Sequence, residues 1–472
     1  MARNKIVSVE LNNIKNVKHG VVSFCDINQE NELKGSSITG IYGQNGTGKT
    51  TIVNCFELLK VLALRESHFG INKYSIRQTN QFDYLVTLGE EISSIIYEFL
   101  IFLNDDKYRI KYELGLVKSN SFLKISYEKV SISKITSSGE KKFSSLIYDF
   151  IHPSIRSLYD GINHRDSYSD DVKMSREEIE KRVALESQLI SCVDTGRSMI
   201  FSARNIDYLL LNSDEKVSTF GRVINELGRQ IAMNTFIYDK SKDALNLIGS
   251  GCVFGVYKSN EGEIHGIFQM SDAPFFVESK DLPLYVKSKE EIELFISSFV
   301  PNFKLDLTIL EKKIDGDREY TKICFSRIVN GQPLPLSEES SGIRKLFSIC
   351  CALVYCYGNS KCWLIVDELD SGVFENLLGQ ILEVLEKFGK GQIIFTAHNL
   401  SPLERINSKS IVFTTRNNSN RFIRFTNVHP SNNLRNLYLR ALRLGGTKEP
   451  LTSDVDIDSI DNALYLAYKA MR

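Results

Sequence analysis

Gly43-Gln44-Asn45-Gly46-Thr47-Gly48-Lys49-Thr50 decides how this chain is read. The octet fits the pattern G-x-x-x-x-G-K-[ST]. Backbone N–H groups of such a turn point into one concavity and cradle phosphates, the lysine reaches the β- and γ-phosphates, and the following hydroxyl helps hold magnesium. The flanks agree. Ile38 to Tyr42 is an apolar run of the kind that forms a buried strand, and Thr50 to Glu57 reads as a helix whose N-terminal dipole faces the phosphates. The sequence thus predicts a nucleoside triphosphate site built from Gly43, Asn45, Gly46, Gly48, Lys49, Thr50 and Thr51.

Far downstream, Trp363-Leu-Ile-Val-Asp367-Glu368 reads as a buried strand that delivers two carboxylates at its end. Asp367 is placed to hold magnesium together with Thr50, and Glu368 to polarise an attacking water as general base. The next strand, Gln392 to Thr396, ends at Ala397-His398-Asn399, which puts His398 at a neighbouring strand tip, in reach of a γ-phosphate or its water. Glu368 and His398 are therefore the candidate catalytic pair. Between these parts lies Ser337-Glu-Glu-Ser-Ser-Gly342-Ile-Arg-Lys-Leu-Phe347, followed by an apolar helix. A serine and a glycine at a helix N-terminus form an anion site. Such turns are common, and this one gains meaning from standing one helix upstream of the acidic strand.

Together these four segments resemble the ATPase heads of the ABC superfamily, in the branch that holds structural-maintenance-of-chromosomes, RecF and overcoming-lysogenization-defect (OLD) ATPases. Gly43 to Thr50 matches Walker A and Leu364 to Glu368 matches Walker B. Ser340-Ser341-Gly342 is similar to the signature motif in its reduced E-S-S-G form, with Ser340 and Gly342 as further nucleotide contacts. Asp370-Ser371 matches the D-loop and His398 the switch histidine. Residue 343 is Ile where a full LSGGQ motif is polar, and Gln78 and Gln81 are both candidates for the Q-loop glutamine. The resemblance covers about residues 1–134 and 300–430. It implies an α/β phosphate-loop NTPase of ABC-ATPase type with an antiparallel β subdomain, using ATP and Mg2+.

Composition bounds the rest. With 472 residues the chain exceeds one core and calls for two or three lobes. Lys+Arg and Asp+Glu are both 58, so no global charge advertises nucleic acid or a membrane surface. Nine cysteines without a C-x-x-C pair argue against zinc, and Cys350, Cys351, Cys356 and Cys362 sit in apolar runs as small hydrophobes. No apolar run reaches the roughly 20 residues of a membrane span, and the N-terminus does not read as a signal peptide, which predicts a cytoplasmic protein.

The expected domains are 1–134, ATPase lobe I with Walker A; 135–300, a mostly helical insertion; 301–430, lobe II with signature, Walker B and switch histidine; and 431–472, a helical tail. In lobe I, strands are expected from Ile95, Tyr108 and Phe122, with Asn104-Asp-Asp106 as a hairpin turn. Ser137 to Asp171 reads as a polar surface crossing. Ser175-Arg-Glu-Glu178 and Ser288-Lys-Glu-Glu291 have capping-box spacing, and Val217, Phe220, Ile224, Leu227 and Ile231 form a helical stripe. Phe303 to Ile309 and Tyr320 to Val329 read as neighbouring strands. Asp454, Asp456 and Asp458 read as a solvated linker, and Arg435, Arg440 and Arg443 as a solvated face. Ile460, Ala463, Leu464 and Ala467 share a face suited to core packing or docking.

The stretch after His398 is too short for the Toprim nuclease of full OLD proteins. The resemblance therefore implies an ATPase that assembles head-to-tail as a homo-oligomer and governs a separately encoded effector, a nuclease or toxin, as in PARIS- and Septu-type anti-phage systems. Its trigger would be a nucleic acid or a phage protein. Two alternatives stand beside it: a RecF-like repair ATPase that binds DNA directly, and a scaffold that ATP stabilises.

Overall fold

The computed structural model describes residues 4–27, 33–34, 37–64, 82–86, 92–119, 122–136, 139–151, 154–157, 176–238, 252–259, 262–269, 272–425, 433–444, 449–451 and 457–471. Gln78, Gln81, Ser175, Asp454 and Asp456 lie outside these residues.

Strands β1 (Lys5–Ile14) and β2 (Val17–Ser23) open the chain, followed by the short pair β3 (Asp26–Ile27) and β4 (Leu33–Lys34) and by β5 (Ile38–Tyr42). β5 runs into the glycine-rich turn and helix α1 (Lys49–Ala63). An antiparallel meander follows: β6 (Ser93–Leu103), β7 (Asp106–Ser119), β8 (Phe122–Thr136), β9 (Gly139–Asp149) and β10 (Ser154–Ser157). It joins the first two strands in a seven-stranded sheet ordered β10-β9-β8-β7-β6-β1-β2. Ile95, Tyr97, Phe99 and Ile101 alternate inward along β6, the period-2 pattern of a half-buried strand. Asn104 takes φ 55° in the turn, which lets Leu103 pair with Asp106.

The polar crossing expected over Ser137 to Asp171 is overturned at β9 and β10, which extend the same sheet, and 158–171 lie outside the described residues. Leu146 and Tyr148 are buried in the core while Glu140, Lys141 and Lys142 at the start of the strand are exposed on both faces, so this strand has the composition of a loop.

Helices α2 (Arg176–Thr195), α3 (Ala203–Leu210) and α4 (Glu215–Asn234) pack on this sheet. All five residues of the expected stripe on α4 are buried in the shared core. Glu128 of β8 pins the layer. Its carboxylate accepts hydrogen bonds from Tyr112 Oη (2.6 Å), Ser198 Oγ (2.5 Å), Met199 N (2.7 Å) and Ile200 N (3.3 Å). Burial pushes the Glu128 carboxyl above the usual carboxylate range, against the opposing pull of those donors.

From α4 the chain enters β11 (Thr235–Tyr238), a strand of the central sheet. β12 (Cys252–Ser259) and β13 (Gly262–Gln269) form a hairpin. β14 (Phe275–Glu278), helix α5 (Leu282–Ser297), β15 (Leu305–Asp315), β16 (Arg318–Val329) and β17 (Gln332–Pro335) build a second antiparallel unit, with β16 between β14 and β15. The capping box at Ser288 is overturned. α5 begins at Leu282 with Pro283 in its first turn, and Ser288 is buried inside the helix. Proline in a first turn is pre-set for the helix and outweighs an S-x-x-E match further on.

The remaining elements are α6 (Ser341–Gly358), β18 (Trp363–Val366), α7 (Glu375–Phe388), β19 (Gln392–Ala397), β20 (Ile411–Thr414), β21 (Phe422–Ile423), α8 (Leu434–Leu444) and α9 (Ile457–Ala470). The central sheet is ordered β11-β18-β19-β5-β20-β21, parallel except at β21. β5, β18, β19 and β20 are buried along their whole length, as strands covered on both faces must be. β19 separates the Walker A strand from the Walker B strand, and all three point their carboxyl ends to one side. That crevice is where open parallel sheets bind ligands. The fold class is the expected α/β one, a parallel sheet that carries the glycine-rich turn together with an antiparallel β subdomain. No helix among the described residues is long and apolar enough to cross a membrane. α9 does not pack into a core: Ile460, Ala463, Leu464 and Ala467 are all exposed.

Candidate active site

The turn after β5 needs its glycines. Gly43 has φ 154° and Gly48, the N-cap of α1, has φ 95°. A Cβ on Gly43 would lie 1.8 Å from Thr414 Oγ1. The Thr47 and Thr414 hydroxyls share a hydrogen bond at 2.5 Å, which ties the turn to the end of β20. Asn45, Gly46 and Thr50 are exposed, and Thr51 is buried. Lys49 is buried, with Nζ donating to Gly43 O and Gln44 O at 2.8 Å. Burial lowers its pKa, partly offset by Asp367, Glu368 and Asp370. The lysine charge is thus held among the turn carbonyls and close to three acids.

The two acids at the end of β18 are held by threonine hydroxyls of α1 and β19, Asp367 through its carboxylate and Glu368 through its backbone N–H. Thr50 Oγ1 donates to Asp367 Oδ2 at 3.0 Å, so the hydroxyl of the turn and the buried aspartate are already side by side. Thr396 Oγ1, at the end of β19, donates to Asp367 Oδ1 at 2.5 Å. The same oxygen accepts the Glu368 backbone N–H at 2.8 Å. Glu368 has φ 43°, a left-handed conformation that a non-glycine residue adopts only when its surroundings impose it. Asp370 turns back to accept His398 N (2.8 Å) and Asn399 N (2.6 Å), which couples the segment after Glu368 to the residues following β19. The His398 side chain is exposed at this tip.

Thr50 and Asp367 are the oxygen donors a hard cation prefers, and they fit magnesium. Among the described residues no three His, Cys, Asp or Glu side chains gather as a metal cluster. A magnesium ion here would accordingly draw its other ligands from phosphates and water.

The signature segment is held from behind. Glu339 is buried in an ion pair with Arg327 Nη1 at 2.6 Å. Ser340 caps α6, accepting Ile343 N at 3.3 Å, and both Ser340 and Ser341 are exposed. A Cβ on Gly342 would lie 2.0 Å from Gly372 O, so this glycine is required by its own chain, which passes the D-loop backbone at close range. Lys345, one turn on, donates to Asp367 O at 3.2 Å.

The structure therefore gathers Lys49, Thr50, Asp367, Glu368 and His398 at one sheet edge. Ser340 instead has its hydrogen-bond partner in its own helix. Sequence reasoning missed Thr396, Thr414 and Lys345. A threonine at the end of the apolar run Ile393-Ile-Phe was the available signal for the first.

A family profile described as "AAA domain, putative AbiEii toxin, Type IV TA system" matches residues 38–404. Among solved structures, the Smc head bound to the C-terminal winged-helix domain of ScpA superposes with a TM-score of 0.38 at 10% identity, covering 89% of this chain and 97% of that one. An Smc head with extended coiled coil bound to the C-terminal domain of ScpA, from Pyrococcus furiosus, gives 0.38 at 11%, covering 89% and 96%. The SMC head from Thermotoga maritima gives 0.35 at 12%, covering 89% and 99%. No curated protein matches in sequence.

Proposed function

The chain belongs to the AAA-domain family whose profile spans most of its length, and from that membership we propose an ATPase that pairs head-to-tail and controls a separately encoded nuclease or toxin in anti-phage defence. The hydrolytic reading rests on one observation: Thr396 holds Asp367 and Glu368 together, beside the Thr50 hydroxyl, at the mouth of the glycine-rich turn. In this reading the turn and Lys49 bind the phosphates of ATP. Thr50 and Asp367 hold magnesium, which neutralises charge on the phosphates when bound. Glu368 takes the proton of the attacking water, and His398 contacts the γ-phosphate. Residues 1–157 and 301–430 carry the ATPase lobes, with β11 at 235–238 completing the central sheet, while the rest of 158–300 is the insertion and 431–472 the tail.

Exposure of Ser340 and Ser341 at the N-terminus of α6 supports the pairing, since a second subunit can offer its bound nucleotide to those donors. The family description reads putative AbiEii toxin, Type IV TA system, and the step from such a system to phage defence with a separately encoded effector is our inference. Balanced charge does not favour direct DNA binding. The test is co-expression with the neighbouring gene, followed by co-purification, ATPase and DNA-binding assays. A stable complex with turnover that rises with protein concentration is expected. Tight DNA binding without a protein partner would replace this reading with the repair ATPase, and ATP binding with zero turnover would leave only a scaffold.

A further inference from the structure

Arg421 stands just before β21, against the glycine-rich turn, and is only 4% exposed. Its guanidinium meets neutral acceptors. Nη1 donates to Thr415 O at 2.6 Å, and Nη2 donates to Asn16 O at 2.6 Å and to Asn418 Oδ1. Nε is buried and has no acceptor. Among the described residues no carboxylate lies within ion-pair distance of it. Arg327, by contrast, is neutralised by Glu339. A buried cation surrounded by neutral groups is costly unless an anion completes it. A second cation, Arg416, makes the position worse: burial first, and then the Arg416 charge, lower the Arg421 pKa.

Both arginines line a cavity of about 380 Å3 that also touches Asn16, Asn45, Gly46 and Asn418. Among the described residues no acid contributes to its wall. The cavity is joined to the turn itself, because Asn16 Nδ2 donates to Gly46 O and the Arg421 stem passes 3.8 Å from where a Gly48 Cβ would be. Planar guanidinium groups with several N–H donors match phosphate oxygens.

We propose that this cavity is an anion subsite for a phosphate-bearing ligand, with Arg421 at its floor and Arg416 at its mouth. The phosphate belongs either to the nucleotide held in the adjoining turn, in which case the subsite rests on the nucleotide reading above, or to a free polyphosphate. Isothermal titration of the full chain separates these sources, using ATP, adenosine and inorganic triphosphate as titrants. Arg416→Ala is expected to weaken ATP or triphosphate binding by about 10-fold, the loss of one charge-assisted contact, and to leave adenosine unaffected. If the nucleotide supplies the phosphate, Lys49→Ala abolishes triphosphate binding too. If a free polyphosphate does, Lys49→Ala still binds triphosphate and only the arginine variants lose it. Wild-type affinity for both ATP and triphosphate in folded Arg416→Ala and Arg421→Met proteins would overturn the subsite. Arg416 is exposed, so its variant decides the matter should Arg421→Met fail to fold. Failure of the wild type to bind ATP at all would strike the proposed function and leave the triphosphate arm to judge the subsite.

Discussion

Thr396→Val isolates the arrangement of the two carboxylates. Valine keeps the shape of threonine and the packing of β19, and removes one oxygen. That oxygen donates to Asp367 Oδ1 at 2.5 Å and accepts Glu368 N at 2.8 Å. The first bond is charge-assisted, worth about 1.5–3 kcal/mol, and the orphaned N–H costs about 1–3 kcal/mol where it is shielded from water. Asp367 keeps its bond from Thr50, so a net destabilisation of about 2–4 kcal/mol is expected. The kinetic effect is larger. Glu368 is held at φ 43° in part by the lost bond, and relaxation from that conformation swings its carboxylate away from the water it should activate. A displacement of roughly 1 Å costs about 100-fold in rate. Turnover should thus fall by about 100-fold, while ATP affinity, which Lys49 and the turn govern, changes by less than about 3-fold. Steady-state ATPase assays, titration of ATP and urea unfolding read the three quantities. Thr396→Ser retains the oxygen and should recover most of the turnover. A Thr396→Val protein with wild-type kcat would refute the claim that this hydroxyl sets Glu368.

Lys49→Ala should abolish ATP binding in titration while the fold survives, and unchanged affinity would sink the phosphate role of that lysine. Glu368→Gln should keep ATP and magnesium binding but stall hydrolysis, trapping an ATP-bound assembly visible by size-exclusion chromatography; equal turnover would show another base. Glu128→Gln tests the buried pin. Because burial raises the folded pKa, the folded state retains a proton that the unfolded state releases. That stabilisation is fully present below about pH 4 and is lost as pH rises through the folded pKa. The urea midpoint of wild type relative to Glu128→Gln should consequently fall as pH is raised above about 4, and a gap that is constant or grows would contradict the direction. For the shared site, Ser341→Arg is cleaner than any change at Gly342, whose own chain leaves no room for a Cβ. Ser341→Arg and Lys49→Ala should each be inactive alone and regain part of the ATPase activity when mixed, since one composite site then keeps both halves. No recovery, with a concentration-independent wild type, would argue for a self-sufficient monomer.

The central sheet was legible because its strands are buried on both faces. Ile38 to Tyr42, Trp363 to Val366 and Gln392 to Thr396 read as short apolar runs, each followed by the polar residues of the crevice. The period-3.6 stripe of α4 was legible for the same reason, one face having a single solvent. β9 was not, since its inward Leu146 and Tyr148 are diluted by the polar residues Glu140, Lys141 and Lys142 that stay exposed and by the buried Ser145. Nor was the membership of β11 in the central sheet: Thr235-Phe-Ile-Tyr238 is short, and only pairing with Trp363 to Val366, more than a hundred residues away, defines it. Local pattern carries no information about such a partner.

The same division runs through the site. The residues proposed to touch the substrate come as motifs, because phosphate geometry imposes fixed spacing on a turn such as Gly43 to Thr50 and favours acids at a strand end. Residues that orient those groups answer only to distance. Thr396 serves Asp367 and Glu368 from a different strand, Thr414 closes on Thr47 from another, and Arg327 fixes Glu339 behind the signature. Each is an ordinary amino acid in an ordinary context until the sheet order is known. Gly342 makes the point most sharply. The resemblance makes it a further nucleotide contact, yet the nearest obstacle to a side chain is Gly372 O in its own chain. A glycine in a motif can therefore be kept by internal packing alone, and the two demands separate only when a neighbouring exposed residue, Ser341, is perturbed in its place.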